Sequence, residues 1–149
     1  MSSGVRELRV WQEAVALAGD VIRIARSGVR RETRGVSDTL MTSAIAVASL
    51  IAEGYGRHTP AEQREAYLGA KRALLKLETE LAVARHADLV PAGSFTELTA
   101  RSAQVARLLT GYVLFLDRQV ADRAASDIRA VPAAPPASPV NLGSARAPS

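Results

Sequence analysis

The chain has 149 residues, 48% of them hydrophobic, no cysteine and a formal net charge of +4. This length is that of one domain with a single core, and the missing cysteines exclude a disulfide framework, a thiolate nucleophile and a cysteine metal site. No apolar leader or membrane-spanning run is predicted, so we expect a cytoplasmic protein that does not bind a membrane.

The first helix is predicted from Glu7 to about Ser27, because apolar residues recur there every three or four positions. They form two adjacent stripes, and an apolar face of that width contacts more than one neighbour. Trp11 lies on one stripe and is assigned a structural role in the core. Gly28 is the expected end of the helix.

The second helix is predicted from Ser37 or Asp38, either of which is a good N-cap, to Glu53. Its body carries no charged residue, so it is expected to be buried on most sides. A helix of a four-helix monomer would show one face to water, and the missing polar face therefore predicts contact with a second subunit. The residues assigned to that oligomer interface are Leu40, Met41, Ile45, Val47 and Leu50.

A helical hairpin is predicted at the next turn. Gly54 and Gly56 are expected to close the second helix in the left-handed conformation. Thr59 is placed to cap the third helix, with Pro60 at its first position and Glu62 completing a capping box. These residues are assigned structural roles.

The third helix is predicted from Pro60 to about His86, and the fourth from a capping box at Ser94 to about Val120. No stretch alternates with period two, so no strand is expected. The predicted fold is all-α, an up-down-up-down four-helix bundle in residues 1–120. Residues 121–149 comprise the helix end and a disordered Pro/Ala-rich tail, either inert or a short recognition element.

The basic residues, almost all arginine, form two groups. Because the guanidinium fork suits phosphate, both groups are predicted to contact a nucleic acid, whereas the alternative is a merely solvated surface. The predicted contacts are Arg23, Arg26, Arg30, Arg31 and Arg34 at the end of the first helix, and Arg57, Lys71 and Arg72 around and beyond the hairpin turn.

The sequence offers little for catalysis. His58 and His86 are the only histidines, and no metal-ligand pair, phosphate loop or nucleophile elbow is present. Glu53 ends an apolar helix, where the dipole disfavours an anion, so it is either paired, with Arg57 as the candidate, or partly solvated. We expect no enzyme activity, no cofactor and no metal.

Several short motifs resemble one family when taken together. They include Val10-Trp11-Gln12, Leu77-Glu78-Thr79 and, between them, Ile51-Ala52-Glu53-Gly54-Tyr55-Gly56-Arg57. From Glu7 to Asp117 the chain resembles the bacterial four-helix-bundle proteins encoded in intervening sequences of large-subunit ribosomal RNA genes. Their superfamily includes the accessory variability determinant of diversity-generating retroelements.

The resemblance implies a homopentameric, barrel-like assembly with a basic surface that binds nucleic acid and, in the retroelement case, a reverse transcriptase. Two departures remove polarity: Met41-Thr42 stands where the family usually has an arginine pair, and Leu50 where it has asparagine. The predicted function is that of a homo-oligomeric, non-enzymatic accessory protein that binds RNA or DNA. The alternative is a scaffold that recruits a protein partner, such as a reverse transcriptase, without binding nucleic acid.

Overall fold

The computed structural model describes residues 4–28 and 30–132, which form four α-helices joined by short connections. No strand is present over these two ranges, so the all-α prediction with four helices is confirmed. Single 3-10 turns at Val5–Glu7 and Arg31–Thr33 precede the first two helices. The helices are α1 (Arg9–Ser27), α2 (Arg34–Tyr55), α3 (Pro60–His86) and α4 (Ala92–Ala130).

The four helices enclose one apolar core. α1 packs against α2 and α4, and α3 packs against the same two helices. Each helix contributes buried residues at three- and four-residue spacing, as Leu74, Leu77 and Leu81 do on α3. Trp11 packs against this core while remaining partly accessible. Its predicted structural role agrees with that position.

The turn between α2 and α3 forms largely as predicted. Thr59 is the N-cap of α3, and its hydroxyl oxygen accepts a hydrogen bond of 3.2 Å from the backbone N–H of Glu62. Pro60 occupies the first helical position, where its missing N–H leaves no bond unmade. Glu53 and Arg57 form an ion pair one helical turn apart, which was one of the two alternatives for Glu53, and both side chains remain about half exposed.

The two glycines at this turn behave differently from the prediction. Gly56 closes α2 with φ −78°, and no glycine within the described ranges has a positive φ. Gly54 is buried inside α2, where an added Cβ would lie 3.1 Å from the Cβ of Ala66. The left-handed closure was therefore wrong, and Gly54 instead lets α2 and α3 approach closely.

Two helices begin earlier than their polar residues predict. α2 starts at Arg34, and Ser37 is buried within it, because the 3-10 turn before α2 leads directly into the helix and leaves no free end at Ser37 to be capped. α4 starts at Ala92 with Pro91 as its N-cap, so the predicted capping box at Ser94 lies inside the first turn. The extended conformation of Pro91, with ψ 147°, sets that start.

α4 also ends later than predicted. It continues to Ala130 rather than to about Val120. Four of the residues from 121 to 130 are alanine, which has the highest helix propensity, and this explains the extension. The Pro/Ala-rich tail falls mostly on residues 133–149, outside the described part of the chain.

α2 is only partly covered by its own chain. Leu40 and Val47 are buried in the core, which corrects their assignment to an oligomer interface, because a partner cannot reach side chains that are already enclosed. Met41 and Leu50 are half-buried against the core, and Ile45 is 50% exposed. For these three residues the interface remains a prediction.

α2 also has the length and composition of a membrane span. The segment Arg31–Tyr55 reaches a mean hydropathy of 1.5, although no membrane-spanning run was predicted because Ser49 interrupts the longest apolar run. A core helix passes the same test; 33% of the apolar window is buried, and α2 packs against both α1 and α3. We therefore attribute its apolar character to packing.

Candidate nucleic-acid interface

Four arginines lie close together in sequence where α1 ends and α2 begins, and we call them the arginine cluster: Arg26, Arg30, Arg31 and Arg34. All four are exposed. Arg26 lies in the last turn of α1, and Arg34 is the first residue of α2. Among the described residues, none of the four has a carboxylate within ion-pair distance. Their charges are thus available to an anionic partner.

Arg23 belongs to the same sequence group but is already paired. Its guanidinium donates to Asp20, one turn earlier on α1. The other carboxylate oxygen of Asp20 lies 2.9 Å from Nε of Arg101 on α4. Asp20 thus joins α1 to α4 and offsets part of the charge of Arg23, a role that the sequence did not reveal because the partner is eighty residues away.

The second basic group is less available than the first. Arg57 pairs with Glu53. Lys71 is half-buried in a groove that also includes Glu78, and Arg72 is exposed on the ridge between that groove and a second one beside α2. Acidic side chains therefore pair with or lie beside this second group. The segment of the arginine cluster contains one exposed carboxylate, Glu32, which forms no ion pair with a described residue.

The two basic groups do not form one patch within a subunit. Arg34 begins α2 and Arg57 follows its end, and 22 helical residues span roughly 33 Å at 1.5 Å each. Lys71 and Arg72 lie in the body of α3. The structure thus places Arg23 and the arginine cluster where α1 ends and α2 begins, and it leaves Arg57, Lys71 and Arg72 apart from them.

An apolar groove runs along the outer side of α1 and α2. Val15 and Ile45 are 41% and 50% exposed there, with Ile22 beside them. Its floor consists of small residues, namely Ala18, Gly19, Ala48, Ser49 and Ala52. Two adjacent apolar stripes were predicted on α1, but periodicity alone could not tell which of them faces outward.

A second apolar groove, which we call the α4 groove, lies along α4. Leu108, Tyr112 and Phe115 line it, and Phe115 is 45% exposed. Its lining residues all belong to α4, so it is separate from the α1/α2 groove. Leu75 and Leu114 are 64% and 56% exposed outside it.

The described residues include no group of three or more histidine, aspartate or glutamate side chains placed to hold one metal ion. His58 is exposed in the turn before α3, and His86 is exposed at the end of α3. Glu78 accepts a hydrogen bond from the buried Ser102, which ties α3 to α4. Glu78 and Ser102 are thus explained by a contact within the fold.

Comparison with known families gives one match, and it covers the greater part of the chain. The profile described as 23S rRNA-intervening sequence protein matches residues 6–111. The chain belongs to this family. The region shared with the intervening sequence proteins contains α1 to α3, the arginine cluster and the first half of α4. A comparison with curated proteins found no match.

Proposed function

We propose that this intervening sequence protein is a homo-oligomeric accessory protein of the cytoplasm that binds RNA or DNA through its phosphates and catalyses no reaction. The observation that carries the proposal is the arginine cluster, whose four exposed guanidinium groups lack acidic partners in the described chain. The family description, which refers to 23S rRNA, supports a role connected with RNA.

The arrangement of helices supports a single binding end. α3 and α4 run antiparallel, because Tyr67 early in α3 stacks beside Tyr112 late in α4 whereas Glu78 bonds to Ser102. With short connections throughout, we infer the up-down-up-down bundle. The cluster then lies at the end of the bundle opposite the α2–α3 turn.

The two apolar grooves support the oligomer. A symmetric pairing of one groove with its own copy would leave the other exposed, whereas head-to-tail contact between the α1/α2 groove and the α4 groove covers both and gives a ring when the rotation between subunits closes. Five subunits is the number implied by the family resemblance. In such a ring every arginine cluster faces the same side, so weak phosphate contacts from several subunits add.

The proposal is tested by fluorescence anisotropy of the full chain with a structured RNA at about 50 and about 200 mM salt. We expect binding that weakens steeply with salt, because each phosphate contact releases a counterion. The cluster variant R26Q/R30Q/R31Q/R34Q should bind at least about tenfold more weakly, since lost phosphate contacts are additive.

A matched control removes the same charge elsewhere. The variant R107Q/R118Q/R123Q/R129Q changes four exposed arginines of α4 and should lose much less affinity. Unmeasurable binding at low salt, or affinity that ignores salt, contradicts the proposal. Equal losses in the two variants contradict the assignment of the cluster. A protein partner that copurifies after nuclease treatment, without RNA binding, would favour the scaffold function instead.

A further inference from the structure

The arginine cluster lies in a segment that has almost no side chains, apart from arginine, able to stack on nucleic-acid bases or to form hydrogen bonds with them. Residues 23–38 contain no aromatic residue, histidine, asparagine or glutamine. The hydroxyls of Ser27 and Thr33 donate to backbone carbonyls three residues earlier, and Ser37 is buried. The outward-facing donors are therefore guanidinium groups.

Single-stranded nucleic acid is bound differently, since its bases stack on exposed aromatic rings. Tyr55 is 42% exposed, but it ends α2, roughly 33 Å from the start of that helix. Phe115 is exposed in the apolar surface of α4 rather than beside the cluster. A strand held at the cluster would thus gain no stacking from either ring.

A site that supplies only positive charge favours binding of a double helix over binding of a single strand. The double helix presents about one negative charge per 1.7 Å of axis on a rigid scaffold, more than a single strand of the same length, and its bases are already stacked. In A-form RNA the deep, narrow major groove also keeps side chains away from base edges. Contacts to the phosphates of a duplex therefore require only the positive charge that the cluster supplies. They require neither the aromatic rings nor the base-reading side chains that the cluster lacks.

We propose, building on the proposed function, that the ligand of the arginine cluster is a nucleic-acid duplex held by the phosphates of its strands and not read in sequence. The shared chemistry is the paired phosphate backbone, which both RNA and DNA duplexes supply. Guanidinium groups also recognise guanine in the wide major groove of B-DNA, so sequence scrambling is part of the test.

The test measures anisotropy of the full chain with four labelled oligonucleotides of equal length. They are an RNA duplex, an RNA duplex of scrambled sequence, a DNA duplex and an unstructured single-stranded RNA. We expect both RNA duplexes to bind within about twofold of each other and at least about tenfold more tightly than the single strand, with the difference reduced at high salt. Comparison of the DNA duplex with the RNA duplexes shows whether the cluster also distinguishes the backbone geometries of the two kinds of duplex.

Two variants sharpen the test. The cluster variant R26Q/R30Q/R31Q/R34Q should lose the preference for duplex, with circular dichroism used to verify that it folds. His86→Ala removes an exposed imidazole, which is also able to stack, and should leave every affinity unchanged. Single-strand binding as tight as duplex binding, a strong effect of scrambling, or a loss in His86→Ala would overturn this inference while binding itself persists. Absence of binding to all four oligonucleotides would overturn the proposed function as well.

Discussion

Arg64 on α3 and Asp117 on α4 form an ion pair across 53 residues of sequence. The hydrogen bond from the guanidinium to Asp117, together with the carboxylate charge, raises the pKa of Arg64. Beyond Asp117, α4 continues to Ala130 with mostly exposed side chains. The pair therefore marks the point at which α4 leaves the bundle.

Asp117→Asn should weaken that attachment without unfolding the bundle. Both side chains are more than one third exposed and are screened by solvent, so we expect only a small loss in the free energy of unfolding, smaller still at high salt. Hydrogen exchange should speed up in residues 118–130. Asp122→Asn, in the exposed extension, is the control, and equal exchange in the two variants would show that the pair does not hold α4.

Gly54→Ala should destabilise the packing of α2 on α3. The new Cβ would lie 3.1 Å from the Cβ of Ala66 and 3.4 Å from the ring of Tyr67, so these neighbours must move by a few tenths of an ångström. We expect this overpacking to cost about 1–3 kcal/mol by urea unfolding, which exceeds the gain of up to about 1 kcal/mol in helix propensity. Gly35→Ala on the same helix meets nothing within 4 Å and should be neutral or stabilise by up to about 1 kcal/mol. A neutral Gly54→Ala would mean that close approach is not needed there.

Thr59→Ala should remove the side-chain cap of α3. The backbone N–H of Glu62 loses its acceptor, which costs about 1 kcal/mol in the free energy of unfolding. Thr99→Ala, at an exposed position within α4, is the comparison and should be neutral or slightly stabilising, because alanine favours a helix interior. Restoration of stability by Thr59→Ser would confirm the hydroxyl as the cause.

Stability should fall in alkaline solution because of Tyr67. Burial raises the pKa of Tyr67 to about 12, above its unfolded value of 10.0. The stabilising contribution is thus complete below pH about 10 and is lost as the pH rises to about 12, by up to about 1.4 kcal/mol per pH unit. Urea unfolding over this window should give a smaller loss for Tyr67→Phe, and identical pH slopes would refute the assignment.

The proposed assembly depends on the two apolar grooves. Ile45→Glu on the α1/α2 groove and Phe115→Glu on the α4 groove should each weaken association by at least about tenfold, because a carboxylate would be buried between subunits. Val83→Glu, at a position 62% exposed outside the described grooves, is the control. Light scattering against concentration measures the result, and a wild-type monomer at micromolar concentration would contradict the assembly.

The periodicity of apolar residues was sufficient to locate α1 and α3, and their ends at Ser27 and His86 agree with the structure. Local chemistry was also sufficient for the Thr59 cap and for the pairing of Glu53 with Arg57, since each involves residues within one turn. The starts predicted from capping residues were wrong for α2 and α4. A 3-10 turn sets the start of α2, and Pro91 sets the start of α4.

What the sequence determined by itself was the class of fold, because helical periods and capping chemistry act between residues a few positions apart. Only the tertiary structure decided that Leu40 and Val47 face the core and that Ile45 faces outward. It also decided that Asp20 forms an ion pair with Arg101. The physical reason is that an apolar helix looks the same on every side in sequence. The packing of the neighbouring helices determines which side of the helix is covered and which charged side chains stay available to a partner.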